Sequence, residues 1–321
     1  MAYKLPDIPY LKLKFLFSAE SSCSLPPVKG SMLRGAFGHA LRKTVCVISA
    51  QQECRACMLR WQCVYTRLFE SFLEGEPPPL MKGLDTAPNP YVLEPYDQKE
   101  SFEPGELFSF DLLLFGRSCE MHPYVVFAFM RAGDMGFSAK RHRFELQQVL
   151  WHNAFPSETG NSGEWHLLYD GATQCLKNVA QPHILKDDVA LASPVTLRFL
   201  TPTRLKFKDS YTMQFNFRML VFKMIRRALE LAHFHVPDAA PNWEFRELLD
   251  ATNQVTMSRE LQWEDWHRYS NRQQSEMEMG GLVGELTLEG DVKPFSHLIR
   301  TSELIHIGKG TTFGLGKMSL K

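Results

Sequence analysis

The sequence predicts an α+β protein made of two ferredoxin-like (RRM-like) β-α-β-β-α-β domains in tandem, the first with a cysteine-rich insertion. In the second half of the chain, strand and helix patterns follow in an order that approximates this unit. In the first half, a strand and a helix precede an irregular stretch, which is followed by strand, helix and strand. We therefore place the first domain at residues 1–185, its insertion at about residues 46–104, and the second domain at residues 186–321.

A strand and an amphipathic helix open the first domain. Alternation over residues 10–17 predicts the strand, and apolar residues spaced by 3.6 over residues 30–46 predict the helix. Within that helix, Gly35 and Gly38 each cost about 1 kcal/mol relative to alanine. We expect a second backbone to approach closely at these two glycines.

The remaining elements alternate along the chain. Strands are predicted at residues 107–115, 144–151, 195–200, 255–263, 266–269, 281–288 and 315–320, with an extra hairpin arm at 164–170. Helices are predicted at residues 123–132, 215–235 and 292–307. We expect the strands at 255–263 and 266–269 to pair with each other, and Lys223, Arg226 and Arg227 to lie on the solvated face of the longest helix.

The charge balance restricts the class of partner. The chain has 36 Lys and Arg and 36 Asp and Glu, so its net charge is zero, unlike that of a non-specific nucleic-acid binder. Any nucleic-acid surface must therefore come from cations that cluster on one face. No apolar window is long enough for a membrane span, and the first residues lack signal-peptide features, so we expect a cytoplasmic protein without membrane contact.

Four cysteines lie close together in the predicted insertion, with the spacing C-x7-C-x2-C-x5-C: Cys46, Cys54, Cys57 and Cys63. Four thiolates suit a structural Zn²⁺ ion or a [4Fe–4S] cluster, and the spacing does not distinguish the two. Free thiols are the alternative. The odd total of seven cysteines argues against a disulfide framework, and the other three are expected to pack in the core.

A glycine-rich segment near the C-terminus holds Gly308, Gly310, Gly314 and Gly316. Glycine permits positive φ, and successive N–H groups in such a loop can converge on an anion. The segment follows a predicted helix, so it is neither a P-loop nor a dinucleotide fingerprint, both of which open a helix after a strand. The alternative is a connection without a ligand.

Residues 294–316, which end in this segment, resemble the C-terminal signature of the RAMP superfamily of CRISPR-associated RNA-binding proteins. Residues 33–42, 268–273 and 280–284 match the same group. More narrowly, the chain is similar to the precursor-crRNA processing endoribonucleases of that superfamily. The resemblance implies tandem ferredoxin-like domains and CRISPR repeat RNA, or precursor crRNA, as the partner. The backbone expected near Gly35 and Gly38 is then either protein or RNA.

The resemblance also implies cleavage without a metal ion or other cofactor, in which a ribose 2′-OH attacks the adjacent phosphate and leaves a 2′,3′-cyclic phosphate and a 5′-OH. Such chemistry needs a general base or acid, for which histidine is suited. His39 is our first candidate, because it lies opposite the apolar stripe of the first helix. His306 and His267 follow, and Tyr65 is a candidate for an assisting role. The alternative is that His39 is a surface histidine without a catalytic role.

Phosphate binding is predicted for Lys309 and for the backbone N–H groups of Gly308, Gly310 and Thr311. The further RNA-binding candidates are cationic residues within the matched stretches: Arg34, Arg42, Arg268, Arg272 and His306. Each arginine has the alternative of a surface salt bridge.

Two other functions stand beside the nuclease. A non-catalytic RAMP subunit that holds guide RNA in a CRISPR effector complex would share every glycine-loop feature. A metal-dependent nuclease is disfavoured, because no Asp, Glu and His cluster has ligand spacing. The sequence does not predict an oligomeric state.

Overall fold

The computed structural model describes residues 3–48, 53–73, 77–78, 81, 86–153, 163–185, 190–207, 210–270 and 275–321, except for the side chains of 267–270 and 275–278. The chain divides into two compact units. The N-terminal unit contains residues 9–184 and 234–237, and the C-terminal unit contains residues 1–8, 185–233 and 238–321. The predicted domain boundary after residue 185 stays a prediction.

In its described residues, the N-terminal unit packs two α-helices against a main sheet. Its strands are β1 (Tyr10–Ala19), β2 (Cys23–Ser24), β3 (Tyr91–Glu94), β4 (Ser101–Phe102), β5 (Leu107–Phe115), β6 (Phe144–His152), β7 (Trp165–Asp170) and β8 (Cys175–Leu176), and its helices are α1 (Gly30–Val45) and α2 (His122–Met135). The antiparallel sheet has the order β3-β5-β1-β6-β7-β8, while β2 pairs with β4.

The core of this unit lies between the sheet and the helices. Alternate residues of β1 are fully buried, as are Leu33, Phe37, Ala40 and Leu41 of α1. The ring of Phe37 stacks on that of Phe129 of α2 at 4.6 Å. Burying such aromatic rings stabilises the unit strongly and fixes which face of α1 meets the core. The opposite face of α1, including His39, therefore faces away from the core.

The C-terminal unit repeats the arrangement. Its strands are β9 (Val195–Thr203), β10 (Lys206–Phe207), β11 (Ser210–Tyr211), β12 (Val255–Glu264), β13 (His267–Ser270), β14 (Ser275–Glu278), β15 (Gly281–Gly290) and β16 (Met318–Leu320), and its helices are α3 (Phe217–His235), α4 (Arg246–Ala251) and α5 (Ser296–Ile305). The main sheet has the order β12-β15-β9-β16. None of the helices in the described part of the chain is long and apolar enough to cross a membrane.

Both units have the same chain order and the same sheet order. In each, a strand, a helix, two strands, a helix and a strand form a four-stranded core whose second, third, first and fourth strands are neighbours in that order. This is the β-α-β-β-α-β unit that the sequence predicts. In the N-terminal unit, β7 and β8 extend the sheet beyond β6, as expected for the hairpin arm.

Three details differ from the predictions. Residues 91–94 form the buried strand β3, although they fall within the predicted insertion. The strands at 255–264 and 267–270 do not pair with each other, because β12 pairs with β15 and β13 pairs with β14. The last strand begins at Met318 rather than at residue 315, because Gly316 has a positive φ that interrupts the extended backbone.

Candidate functional site

His39 lies on the exposed face of α1. The pKa of its imidazole is lowered, first by partial burial and then by the positive charges of Lys43 and Arg141. Lys43 lies one helical turn further along α1, and Arg141 lies in the turn between α2 and β6 with a φ of 58°. At neutral pH the imidazole is therefore neutral and able to accept a proton.

A histidine with two nearby cations can serve phosphate chemistry. A neutral imidazole can take a proton from a hydroxyl, and two positive side chains can stabilise negative charge that develops on a phosphate. The sequence identified His39, whereas Lys43 and Arg141 are only two of its 36 lysines and arginines. Their grouping around His39 arises from the fold, since residue 141 is distant in sequence.

The two predicted arginines of α1 cover an aromatic pair. The guanidinium of Arg34 lies 5.3 Å from the ring centre of Phe69, and that of Arg42 lies 5.7 Å from the ring centre of Tyr65. The rings of Tyr65 and Phe69 stack on each other at 5.3 Å. Cation–π contacts of this kind stabilise the segment of residues 64–70 against α1. The structure thus provides a packing role for both arginines, and their RNA contacts stay a prediction.

The close approach expected at the glycines of α1 occurs at Gly38 only. A Cβ at Gly38 would lie 2.6 Å from the Phe69 ring, whereas a Cβ at Gly35 would meet no described atom within 4 Å. The described neighbour at Gly38 is therefore an aromatic side chain and not a protein backbone, and an approach of RNA backbone to Gly35 or Gly38 stays a prediction. Tyr65, a candidate for an assisting role, has its pKa raised by burial and by Glu70, so it is protonated at neutral pH.

The four cysteines of the predicted metal site are half-buried free thiols. Burial raises the pKa of Cys54, and the neighbouring groups Glu70, Cys63 and Cys46 raise it further, against the opposing charge of Arg42. Cys54 and Cys57 lie at the two ends of one turn, in which the Cys57 N–H donates to the Cys54 carbonyl at 3.2 Å. Among the described residues, no group of three or more potential ligands is arranged to hold a metal ion.

The glycine-rich segment of residues 308–316 is hydrogen-bonded to the C-terminal end of β9. The Lys309 N–H donates to the Arg204 carbonyl at 3.1 Å, and the Gly316 N–H donates to the Pro202 carbonyl at 3.1 Å. Gly308 and Gly316 have φ values of 83° and 74°, and a Cβ at either would collide with a backbone carbonyl. These glycines are therefore required by the packing of the loop itself.

The same segment has backbone N–H groups and a lysine side chain that can bind an anion. Within the described part of the chain, the N–H groups of Gly308, Gly310 and Thr311 have no hydrogen-bond acceptor, and the Lys309 side chain is exposed. Arg227 supports the loop from α3, donating from Nη2 to Thr311 Oγ1 at 3.1 Å and from Nε to the Ile305 carbonyl at 3.4 Å. Burial lowers the pKa of Arg227 to about 10, so it stays charged at neutral pH.

A basic cluster, defined here as Lys206, Lys223, Arg226 and Lys309, lies beside this loop. The pKa of Lys223 is lowered, first by burial and then by the charges of the other three, while Glu230 opposes the shift. The ammonium of Lys223 lies 4.6 Å from the ring centre of Phe207, and Arg226 forms an ion pair with Glu230 at 2.6 Å. Cations outnumber the carboxylate among the groups that shift the pKa of Lys223, and a local excess of positive charge favours a phosphate ligand. The prediction that Lys223 simply lies on a solvated helix face is incomplete, because the glycine-rich segment folds next to it.

The remaining predicted residues lie elsewhere. His306 is fully buried with a φ of 55°, and its Nδ1 lies 3.0 Å from the Leu315 carbonyl, so its side chain shapes the loop and is not available to RNA. Arg268 and His267 belong to β13, but their side chains lie outside the described residues, as does the whole of Arg272. His39 belongs to the N-terminal unit, and the glycine-rich segment belongs to the C-terminal unit.

Two family models match the chain. Residues 8–181 match the AF_1859_N N-terminal domain, and residues 197–318 match the family described as CRISPR-associated endoribonuclease Cas6. A comparison with curated protein sequences finds no match.

Solved structures show the same fold. The chain is similar to a Cas6 product complex (TM-score 0.55, 15% identity, 98% of this chain and 99% of that chain). It is also similar to Cas6 of Thermus thermophilus (TM-score 0.51, 15% identity, 99% and 100%). A third similar structure is a partial Cas6-RT-Cas1–Cas2 complex (TM-score 0.51, 12% identity, 99% and 47%). These similarities confirm the predicted tandem ferredoxin-like fold.

Proposed function

We propose that the chain, in which residues 197–318 match the family model of CRISPR-associated endoribonuclease Cas6, binds CRISPR repeat RNA and cleaves precursor crRNA without a metal ion. The observation that favours cleavage over binding alone is the exposed His39 with its lowered pKa, close to Lys43 and Arg141. The products of the proposed reaction are a 2′,3′-cyclic phosphate and a 5′-OH.

His39 acts in this proposal as the general base. Its neutral imidazole removes the proton of the ribose 2′-OH, and the 2′-oxygen forms a bond to the adjacent phosphorus. The bond from phosphorus to the 5′-oxygen breaks, and the 5′-oxygen takes up a proton from water as it leaves. Lys43 and Arg141 stabilise the extra negative charge on the phosphorane.

The glycine-rich segment binds the RNA backbone. The N–H groups of Gly308, Gly310 and Thr311, with the ammonium of Lys309, contact phosphate oxygens. Lys223 and Arg226 of the basic cluster add charge next to the loop and increase affinity without reading sequence. Sequence or shape preference must come from contacts to bases or to the fold of the repeat.

The direct test is cleavage of an end-labelled repeat RNA in excess EDTA, beside the same RNA with a 2′-deoxy sugar at the cleavage position. We expect one cut in the ribose substrate and none in the deoxy substrate, since the deoxy sugar lacks the nucleophile. Binding of both RNAs without any cut would instead favour the non-catalytic RAMP subunit. Cleavage that requires an added divalent ion would contradict the proposal.

We also propose that Cys46, Cys54, Cys57 and Cys63 bind a structural Zn²⁺ ion or an iron–sulfur cluster, with no role in the cleavage step. The thiol chemistry suits both groups. The thiols would have to move closer together, because they do not form a metal-binding group in the described residues. Metal analysis of the parent and of a Cys54→Ser/Cys57→Ser variant tests this, and equal metal content would contradict it. Association with a CRISPR effector complex stays a prediction.

A further inference from the structure

The N-terminal unit contains a cleft of about 120 Å³ that has no part in the proposed cleavage step. Three arginines line it, namely Arg60, Arg67 and Arg117, and its walls include the rings of Trp61 and Phe72. None of the described lining residues is acidic. A concave site with several guanidinium groups and aromatic rings suits a ligand that is both anionic and flat.

Trp61 is held in place by its neighbours. The guanidinium of Arg60 lies 4.7 Å from the Trp61 ring centre, and the Arg67 Nε donates to the Trp61 carbonyl at 2.9 Å. Arg60 itself donates to the Arg55 carbonyl at 2.6 Å, and the Thr66 hydroxyl donates to the Cys63 carbonyl at 2.8 Å. Trp61 nevertheless keeps 36% of its surface exposed. An indole ring that contacts Arg60 and stays partly exposed can accept a second flat group by stacking.

The two remaining arginines supply charge. Arg67 and Arg117 are both exposed, and within the described part of the chain neither forms an ion pair. Arg67 uses only its Nε in the bond to Trp61, so its terminal nitrogens can donate to a phosphate. The wall beneath Arg117 is well anchored, because Ser118 Oγ accepts from the Phe115 N–H at 2.9 Å, and its single hydroxyl hydrogen has the Phe115 carbonyl at 2.8 Å and the Pro90 carbonyl at 3.0 Å as acceptors.

We propose that this cleft binds one nucleotide of the single-stranded RNA that flanks the cleaved repeat, with its base on Trp61 and its phosphate between Arg67 and Arg117. Stacking on aromatic rings beside cationic side chains is how proteins bind single strands without strict sequence preference. The assignment of the ligand to substrate RNA rests on the proposed function. The residues of the cleft by themselves indicate only that the ligand is a nucleotide chain.

The experiment measures binding of a fluorescent single-stranded uridine oligonucleotide of about 12 nucleotides, a length within the range of known single-strand sites. The full chain is compared with Trp61→Ala and Arg117→Gln. The matched controls are Tyr124→Ala and Arg131→Gln, which remove an exposed ring and an exposed arginine from α2, outside the cleft. An abasic oligonucleotide of the same length separates stacking from charge.

We expect Trp61→Ala to weaken binding of the uridine oligonucleotide about tenfold, because one stacked base is lost. The same variant should leave binding of the abasic oligonucleotide unchanged, and Trp61→Phe should restore most of the affinity. Arg117→Gln should weaken binding of both oligonucleotides and lower the slope of log K against log salt by about 0.7. The two α2 controls should bind like the parent.

The proposal is overturned if Trp61→Ala and Arg117→Gln bind the uridine oligonucleotide as tightly as their controls do. It is also overturned if free uridine monophosphate occupies the cleft more tightly than the oligonucleotide, since the ligand would then be a free nucleotide. Repeat cleavage by the same preparations tests the proposed function separately. Cleavage without cleft-dependent binding removes this inference alone, and cleft-dependent binding without cleavage removes the proposed function alone.

Discussion

His39 and the glycine-rich segment differ in how much the stability of the fold depends on their residues. His39 projects from α1 and is exposed, so its side chain can change without disturbing the core. The glycine-rich segment is hydrogen-bonded to Pro202 and Arg204 at the end of β9, and Gly308, Gly310 and Gly316 have no room for a Cβ. The proposed chemistry at His39 can therefore be separated from stability by substitution, whereas the proposed RNA binding at most positions of the loop cannot.

The largest expected effect is the loss of cleavage in His39→Ala. Removal of a general base typically slows a reaction by about 10²–10⁴-fold, and we expect a fall in that range in the single-turnover rate at saturating protein. The dissociation constant for repeat RNA and the melting temperature should stay near those of the parent, because the imidazole is exposed. Arg131→Ala, an exposed change on α2, is the control. An equal loss of rate in the control would contradict the claim that cleavage depends on His39.

Two glycine substitutions sharpen the structural side of the comparison. Gly316→Ala places a methyl group against the Ile307 carbonyl at a φ of 74°, and we expect it to lower the free energy of unfolding by about 2–4 kcal/mol. Gly35→Ala meets no described atom within 4 Å inside a helix, so it should raise that free energy by about 1 kcal/mol. Chemical denaturation measures both. Equal effects of the two changes would mean that the loop is not packed as described.

Lys309 is the position where loop binding can be separated from loop structure, because its side chain is exposed. We expect Lys309→Gln to weaken repeat RNA binding about fivefold and to reduce the salt dependence by about one phosphate contact. The cleavage rate at saturating protein should not change. Lys99→Gln, which removes an exposed lysine of the N-terminal unit, is the charge-matched control. A lower saturated rate with unchanged affinity would place Lys309 in the chemistry instead.

The smallest expected effect concerns pH. Burial and two cations lower the pKa of His39 below its ordinary value of 6.5. The imidazole is therefore in its neutral, base form at pH values above this lowered pKa. The value of kcat/KM should therefore rise with pH through a midpoint below 6.5 and then level off. Lys43→Gln removes one of the cations, so the midpoint should move upward by a few tenths of a pH unit. A downward movement would contradict the assignment of His39 as base.

The sequence predicted most of the fold, and its errors have physical causes. The patterns of α1 and α3 are unambiguous because the helical period repeats over 16 and 19 residues, and β5 and β6 stand out as nine-residue segments rich in apolar residues. Strand β3 has only four residues between Pro90 and Pro95, which is too short for a period. The pairing of β12 with β15 depends on contacts far apart in sequence, which local patterns do not contain.

The site residues were predicted where a local signal exists. His39 and the glycines stand out by residue type and position on a helix or loop. Lys223 and Arg226 did not stand out, because a polar face on α3 indicates a solvated surface. The glycine-rich segment that lies beside this face is more than 80 residues later in the sequence. His306 is polar in sequence but lies in the core, since its positive φ and its contact with the Leu315 carbonyl turn it inward.

The chemistry at His39 is tested most directly by identifying the ends of the RNA products. Mass spectrometry of repeat RNA cut by the parent protein in EDTA should show a 2′,3′-cyclic phosphate on the upstream product and a 5′-OH on the downstream product. Those ends require the ribose 2′-OH as the nucleophile. This is the hydroxyl whose proton His39 is proposed to remove. A 3′-OH and a 5′-phosphate would mean that water attacks the phosphate, and would contradict the account.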